Sequence, residues 1–124
     1  MIGMAGSLRI FVCTRPADMR RSFDGLCGMA QSIMKHDPLS GALFVFRNRN
    51  RDRLKIMYWD KDGLAIWYKR LEKGTFQLPT DAKLKDERPI SAEISTEELS
   101  MLLGGIDLAN VKRRKRYQAP NQPR

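Results

Sequence analysis

Seven apolar residues at helical spacing set the first boundary on the fold. Met19, Phe23, Leu26, Cys27, Ala30, Ile33 and Met34 follow at steps of four, three, one, three, three and one, a continuous stripe on one helix face. Arg20, Asp24, Gln31 and Lys35 take the other side, and Asp18 falls in the first turn, where a carboxylate complements the helix dipole. The stripe predicts a long amphipathic helix from Asp18 to just before His36-Asp37-Pro38, because a residue preceding proline resists helical geometry. Gly25 and Gly28 each cost about 1 kcal/mol against alanine and fall toward the polar side, which fits either a closely approaching partner or plain tolerance.

The remainder of the chain offers strands to cover that stripe. Leu8–Cys13 is a short β-favouring run, and Pro16 ends its regular pairing and suits the approach to a helix. After the turn Pro38-Leu39-Ser40-Gly41 come Leu43–Phe46 and Leu54–Trp59, separated by the polar segment Asn48–Arg53, which reads as a β-hairpin. Asp60-Lys61-Asp62-Gly63 predicts a tight turn using glycine for positive φ, followed by a strand over Leu64–Arg70. Glu72-Lys73-Gly74 leads into a further run, Thr75–Leu78, and the charged stretch Thr80–Arg88 reads as a loop. Pro89–Ile94 is a last, short strand, and Ser95 with Glu98 makes a capping box opening a short helix through Leu99, Leu102 and Leu103. The expected fold class is α+β: a curved antiparallel meander sheet with the long helix packed on one face, in a single domain over residues 1–108. Residues 109–124, basic and then rich in Pro, Gln and Asn, read as a disordered tail.

Charge narrows the function. The 23 basic and 14 acidic residues give a formal net charge of +9 over 124 residues, which favours a polyanionic partner. Five cations two apart, Arg47, Arg49, Arg51, Arg53 and Lys55, crowd the hairpin tip with Asp52 as local counter-charge. A guanidinium binds phosphate in a planar, bidentate way, so this tip is the first candidate for nucleic-acid contact. The block Lys112, Arg113, Arg114, Lys115 and Arg116 would add a flexible cationic arm. Against this stand plainer roles: charged loops are often only solvated, and cations on edge strands discourage aggregation. Tyr58, Trp59, Trp67, Tyr68 and Phe76 interleave the basic strands; aromatics there can stack bases, though in strands they more often fill a core.

Chemistry-bearing constellations are sparse. Cys13 and Cys27 with the solitary His36 make no zinc set, and both cysteines read as small buried residues with free thiols, as in an intracellular chain. No serine stands in a nucleophile elbow and no glycine loop has phosphate-cradling spacing. Asp81-Ala82-Lys83 has the acid-x-Lys pattern of some metal-dependent nucleases, but without a placed partner acid. No apolar run approaches the roughly 20 residues of a membrane span, and the first residues lack a secretion signal's pattern. The expectation is a cytoplasmic, non-catalytic binding protein that needs no cofactor or metal.

One ordered set of motifs adds to this. Asp18-Met19-Arg20, Phe23-Asp24-Gly25-Leu26, Asp37-Pro38 with Ser40-Gly41, Leu43–Arg47, Lys55, Trp59-Asp60, Gly63, Lys69–Glu72 with Gly74 and Phe76, and Leu102-Leu103 with Gly105-Ile106-Asp107 run through most of the chain. The sequence resembles the small accessory protein encoded by the second frame of insertion-sequence-66-type mobile elements, a TnpB-like protein unrelated to the RNA-guided nuclease sharing that label. The resemblance implies a transposition accessory factor working beside a separate transposase that holds the catalytic carboxylates. It marks Asp18, Arg20, Asp24, Arg47, Lys55, Asp60, Lys69 and Arg70 as candidate functional surface. The expected partners are therefore DNA, with RNA left open, and the transposase. The alternatives are a module that binds the transposase without touching DNA and, further off, a metal-dependent nuclease.

Overall fold

The computed structural model describes residues 8–104, together with the backbone of 106–107 and 112–113. Five strands form one sheet: β1 (Ile10–Cys13), β2 (Leu43–Arg47), β3 (Arg53–Asp60), β4 (Gly63–Arg70) and β5 (Ser91–Ile94), in the spatial order β4-β3-β2-β1-β5. The helix α1 (Phe23–Ser32) connects β1 to β2, and α2 (Thr96–Gly104) follows β5. A short antiparallel pair, β6 (Ile106–Asp107) and β7 (Lys112–Arg113), ends the described chain. The tail expected over residues 109–124 otherwise lies outside the described residues.

The α+β class and the β2-β3-β4 meander agree with the sequence reading, but the sheet is mixed. β1 pairs parallel with β2 and antiparallel with β5. A strand that returns through a helix comes back parallel, and α1 is that crossover. Both β1 and β2 are buried along their whole length, as central strands covered on two faces should be. On one face Leu26, Met29 and Ala30 of α1 pack on Phe11, Phe44, Phe46 and Met57. On the other, Leu99 and Leu102 of α2 join Leu71, Phe76 and Leu78 over Ile10, Val12, Leu43, Val45, Leu54 and Ile56.

Three local expectations need correction. The helix is shorter than its stripe. Lys55 Nζ donates to the carbonyls of Met19 (2.8 Å) and Arg21 (2.7 Å), holding residues 18–21 as a turn, and the helical ladder begins with Leu26 N–H to Ser22. Thr75–Leu78 is not a strand, because the Phe76 N–H and C=O are engaged by Arg51 and Arg47 of the hairpin. In the β3–β4 turn the positive φ falls on Lys61 (57°) and not on Gly63. The capping box forms as read: Glu98 N–H donates to Ser95 Oγ (3.1 Å) and Ser95 N–H to Glu98 Oε1 (2.9 Å).

Candidate nucleic-acid interface

The tip between β2 and β3 is tightly built. Asn48 spans it, its Nδ2 donating to Asp52 Oδ1 (2.7 Å) and its Oδ1 accepting the Arg53 N–H (2.9 Å). Arg51 takes a left-handed φ of 64° to complete the reversal. The segment after β4 clamps the tip from below, through Leu71 N–H to Asp52 C=O (2.8 Å) and Phe76 N–H to Arg51 C=O (2.7 Å). Side chains on this tip are therefore carried by an ordered backbone.

Strand alternation then sends its cations to different fates. Arg47 turns inward, 5% exposed. Its guanidinium grips Asp81 with two bonds of 2.8 Å and also donates to the Phe76 carbonyl (2.9 Å). Burial pushes the Asp81 carboxyl up, but hydrogen bonds from Arg47 and the Leu78 N–H, with the charges of Arg47 and Arg51, outweigh it and leave the group below its ordinary value. Arg51 reaches the same carboxylate at 3.5 Å and is half-exposed. Lys55 turns to the other face, 8% exposed, its ammonium on the Met19 and Arg21 carbonyls and 4.7 Å from the Tyr68 ring centroid. Two cations assigned to phosphate contact in the sequence reading, Arg47 and Lys55, are thus enclosed by the protein itself.

The others face solvent to differing degrees. Arg49 is exposed and has no ion pair among the described residues. Arg53, half-buried, stands directly opposite Arg70 across β3 and β4, with Nη1 3.4 Å from Tyr68 Oη. Arg70 pairs with Glu72 at 2.9 Å in the open, and Lys69 is exposed. Lys112 and Arg113 belong to β7, while Arg114, Lys115 and Arg116 lie outside the described residues.

The parallel pairing of β1 and β2 produces a feature that linear reading missed. Both strands leave the sheet at the same end, so Thr14-Arg15-Pro16 and Arg47-Asn48-Arg49 emerge side by side, joined by Ala17 N–H to Arg47 C=O (2.9 Å). The segment entering β5 returns to this end, where the carbonyls of Pro89 and Ile90 accept the Thr14 hydroxyl. These segments bound a groove of about 1010 Å³ lined by Arg15, Arg47, Arg49, Arg51, Lys85 and Arg88, with Asp86 as the lining acid. Arg15 and Lys85 are exposed and unpaired by any described carboxylate. Arg88 is aimed by its bonds to the Lys83 (3.1 Å) and Asp81 (3.2 Å) carbonyls. Arg15, Lys85 and Arg88 escaped the sequence reading. Their only signal was position: one follows a strand at a proline, and two sit in a charged stretch read simply as loop.

The acidic candidates do not converge. Asp18 pairs with Arg20 at 2.7 Å in the open, and the Arg20 hydrogen bonds pull its carboxyl down to about 2. Asp24 is exposed in the first turn of α1. Asp60 closes the end of β3 away from the cationic tip. Among the described residues no group of three or more His, Cys, Asp or Glu is placed to hold a metal. Asp81, the acid of the nuclease-like pattern, is occupied by Arg47. Cys13 is buried, Cys27 half-buried, and both are free thiols; His36 stacks on Phe11 with centroids 3.8 Å apart. Of the aromatics, Phe76 is buried, Tyr58 and Trp67 pack against the α2-side core, and Tyr68 remains 47% exposed. No helix among the described residues is long and apolar enough to cross a membrane.

Comparison with known proteins adds a frame for these residues. The profile of the family described as IS66 Orf2 like protein matches residues 8–113, from the start of the described chain through β7. The chain is 41% identical over 114 residues to the uncharacterized protein y4jC of Sinorhizobium fredii, covering 92% of each. It is 36% identical over 107 residues to the uncharacterized protein y4hO of the same organism, covering 86% of this chain and 88% of that one. No solved structure matches.

Proposed function

The chain belongs to the IS66 Orf2-like family, which associates it with insertion-sequence transposition, and on that premise we propose that it acts there as a non-catalytic nucleic-acid-binding accessory to a separate transposase. The observation that carries this reading is the ordered basic groove, where Arg15, Arg49 and Lys85 stand without a described carboxylate partner while Arg47 and Arg51 saturate Asp81. Cations carried by an ordered backbone meet phosphate without the further cost of ordering that backbone, and each one releases condensed counterions. Arg53 opposite Arg70 supports the same reading, since a sheet selected for stability alone disfavours like charges directly across two strands. The non-catalytic assignment is supported by the carboxylates of the described residues, which are dispersed or already paired and form no group of three or more metal-ligating side chains.

Fluorescence anisotropy with a short labelled duplex and a single strand of equal length tests the proposal. If about five phosphates are neutralised, log affinity falls against log salt with a slope near −4.5 on duplex or near −3.5 on the single strand. An affinity that ignores salt would reject it. Capture of the transposase that survives nuclease treatment, without binding to duplex or single strand, would replace it by the protein-interaction reading. Cleavage of plasmid in Mg²⁺ or Mn²⁺ that is lost in Asp24→Ala or Asp60→Ala would replace it by the nuclease reading.

A further inference from the structure

We propose, building on the nucleic-acid reading, that the basic groove takes one unpaired strand and grips it by its phosphates, whereas duplex binds the outer cations of β3 and β4. The groove is concave and half-open, and its volume of about 1010 Å³ is comparable to that of a pocket for a drug-sized molecule. It fits a short stretch of one sugar-phosphate rail, not the two rails of a duplex. A protein reads duplex by pushing a protruding helix or ribbon into a groove about 12 Å wide, the reverse of this shape. Cations also come from several sides: Arg49 and Arg51 from the hairpin tip, Lys85 and Arg88 from the segment before β5, and Arg15 from the end of β1. Such an arrangement meets a strand from more than one side.

The lining also shows how the strand would lie. Among the described residues no aromatic side chain lines the groove, so they provide no base-stacking platform of the kind used by many single-strand binders. Asn48, an amide able to read a base edge, has its Nδ2 and Oδ1 engaged within the tip. The phosphates therefore face in, the bases face out, and recognition is indifferent to sequence. Arg51 holds Asp81 at 3.5 Å against 2.8 Å for Arg47; it turns to an incoming phosphate while Arg47 keeps that carboxylate neutralised.

The protein is titrated by anisotropy against labelled oligo-dT, oligo-rU and a duplex of equal length, alongside the double variant Arg15→Ala/Lys85→Ala. Both side chains are exposed, and thermal melting verifies that the variant is folded. The double variant is expected to lose about tenfold affinity for oligo-dT at physiological salt, as removal of two single-strand phosphate contacts implies, and less than twofold for duplex. A similar loss on oligo-rU identifies the phosphate rail rather than the sugar as the feature held. Equal losses on duplex and single strand, or no loss on oligo-dT, would overturn the single-strand assignment while leaving nucleic-acid binding in place. Failure of the wild-type protein to bind any of the three would overturn both.

Discussion

Arg47 and Arg49 sit two residues apart on the same hairpin, yet they belong to regions with opposite physics. At the shoulder, Arg47 and Lys55 are enclosed, one on a carboxylate and a carbonyl, the other on two carbonyls. At the rim, Arg49, Arg15 and Lys85 are exposed and form no ion pair with a described carboxylate. Composition cannot separate these groups, since all are cations in a basic chain. The difference lies in what faces each one. A buried cation is tied to its own protein and contributes to folding, because leaving its partner alone in low dielectric is costly. A displayed cation contributes almost nothing to folding and remains available to a polyanion.

The largest expected effect falls on the shoulder. Arg47→Ala leaves the Asp81 carboxylate, among the described residues, with the Leu78 N–H and the more distant Arg51, and should cost about 3–5 kcal/mol of stability, measured by urea denaturation. The pair should also respond to acid. Because the Asp81 carboxyl is held below its ordinary value of 3.8, its contribution is present above that pH and disappears as pH falls through the lower folded value. The stability gap between wild type and Asp81→Asn should therefore be full at neutral pH and narrow steadily below about pH 4. A gap that stays constant into strong acid would mean the ion pair is not its source.

Lys55→Met comes next. It removes a charged donor from two carbonyls and should cost about 1–3 kcal/mol, with the added effect of loosening the turn before α1. Amide hydrogen exchange over residues 18–22 should accelerate in this variant; unchanged protection would show that Lys55 does not set the helix start. At the rim, Arg49→Ala should alter stability by no more than about 0.5 kcal/mol. A loss comparable to that of Arg47→Ala would erase the distinction between the two regions.

Much of the fold was legible because its signals are local. The apolar runs of β2, β3 and β4 are bounded by turn residues, and the Ser95–Glu98 box spans a single helical turn. What stayed hidden depends on residues far apart in the chain. The helix stripe reaches back to Met19, but Lys55, 36 and 34 residues beyond Met19 and Arg21, takes the carbonyls that would have started the first turn. Arg47 reads as a tip cation until Asp81, 34 residues away, is brought to it. The groove required the parallel β1–β2 pairing, which hydrophobic periodicity does not encode. Only then do Arg15 and Lys85 approach Arg49.

The most direct test compares salt dependence of nucleic-acid affinity for Arg49→Ala and Lys55→Met, each verified as folded by circular dichroism. Arg49→Ala should flatten the log–log slope by about one, and Lys55→Met should leave it at the wild-type value. Equal flattening by both, or flattening by Lys55→Met alone, would contradict the claim that displayed rather than enclosed cations meet the phosphates.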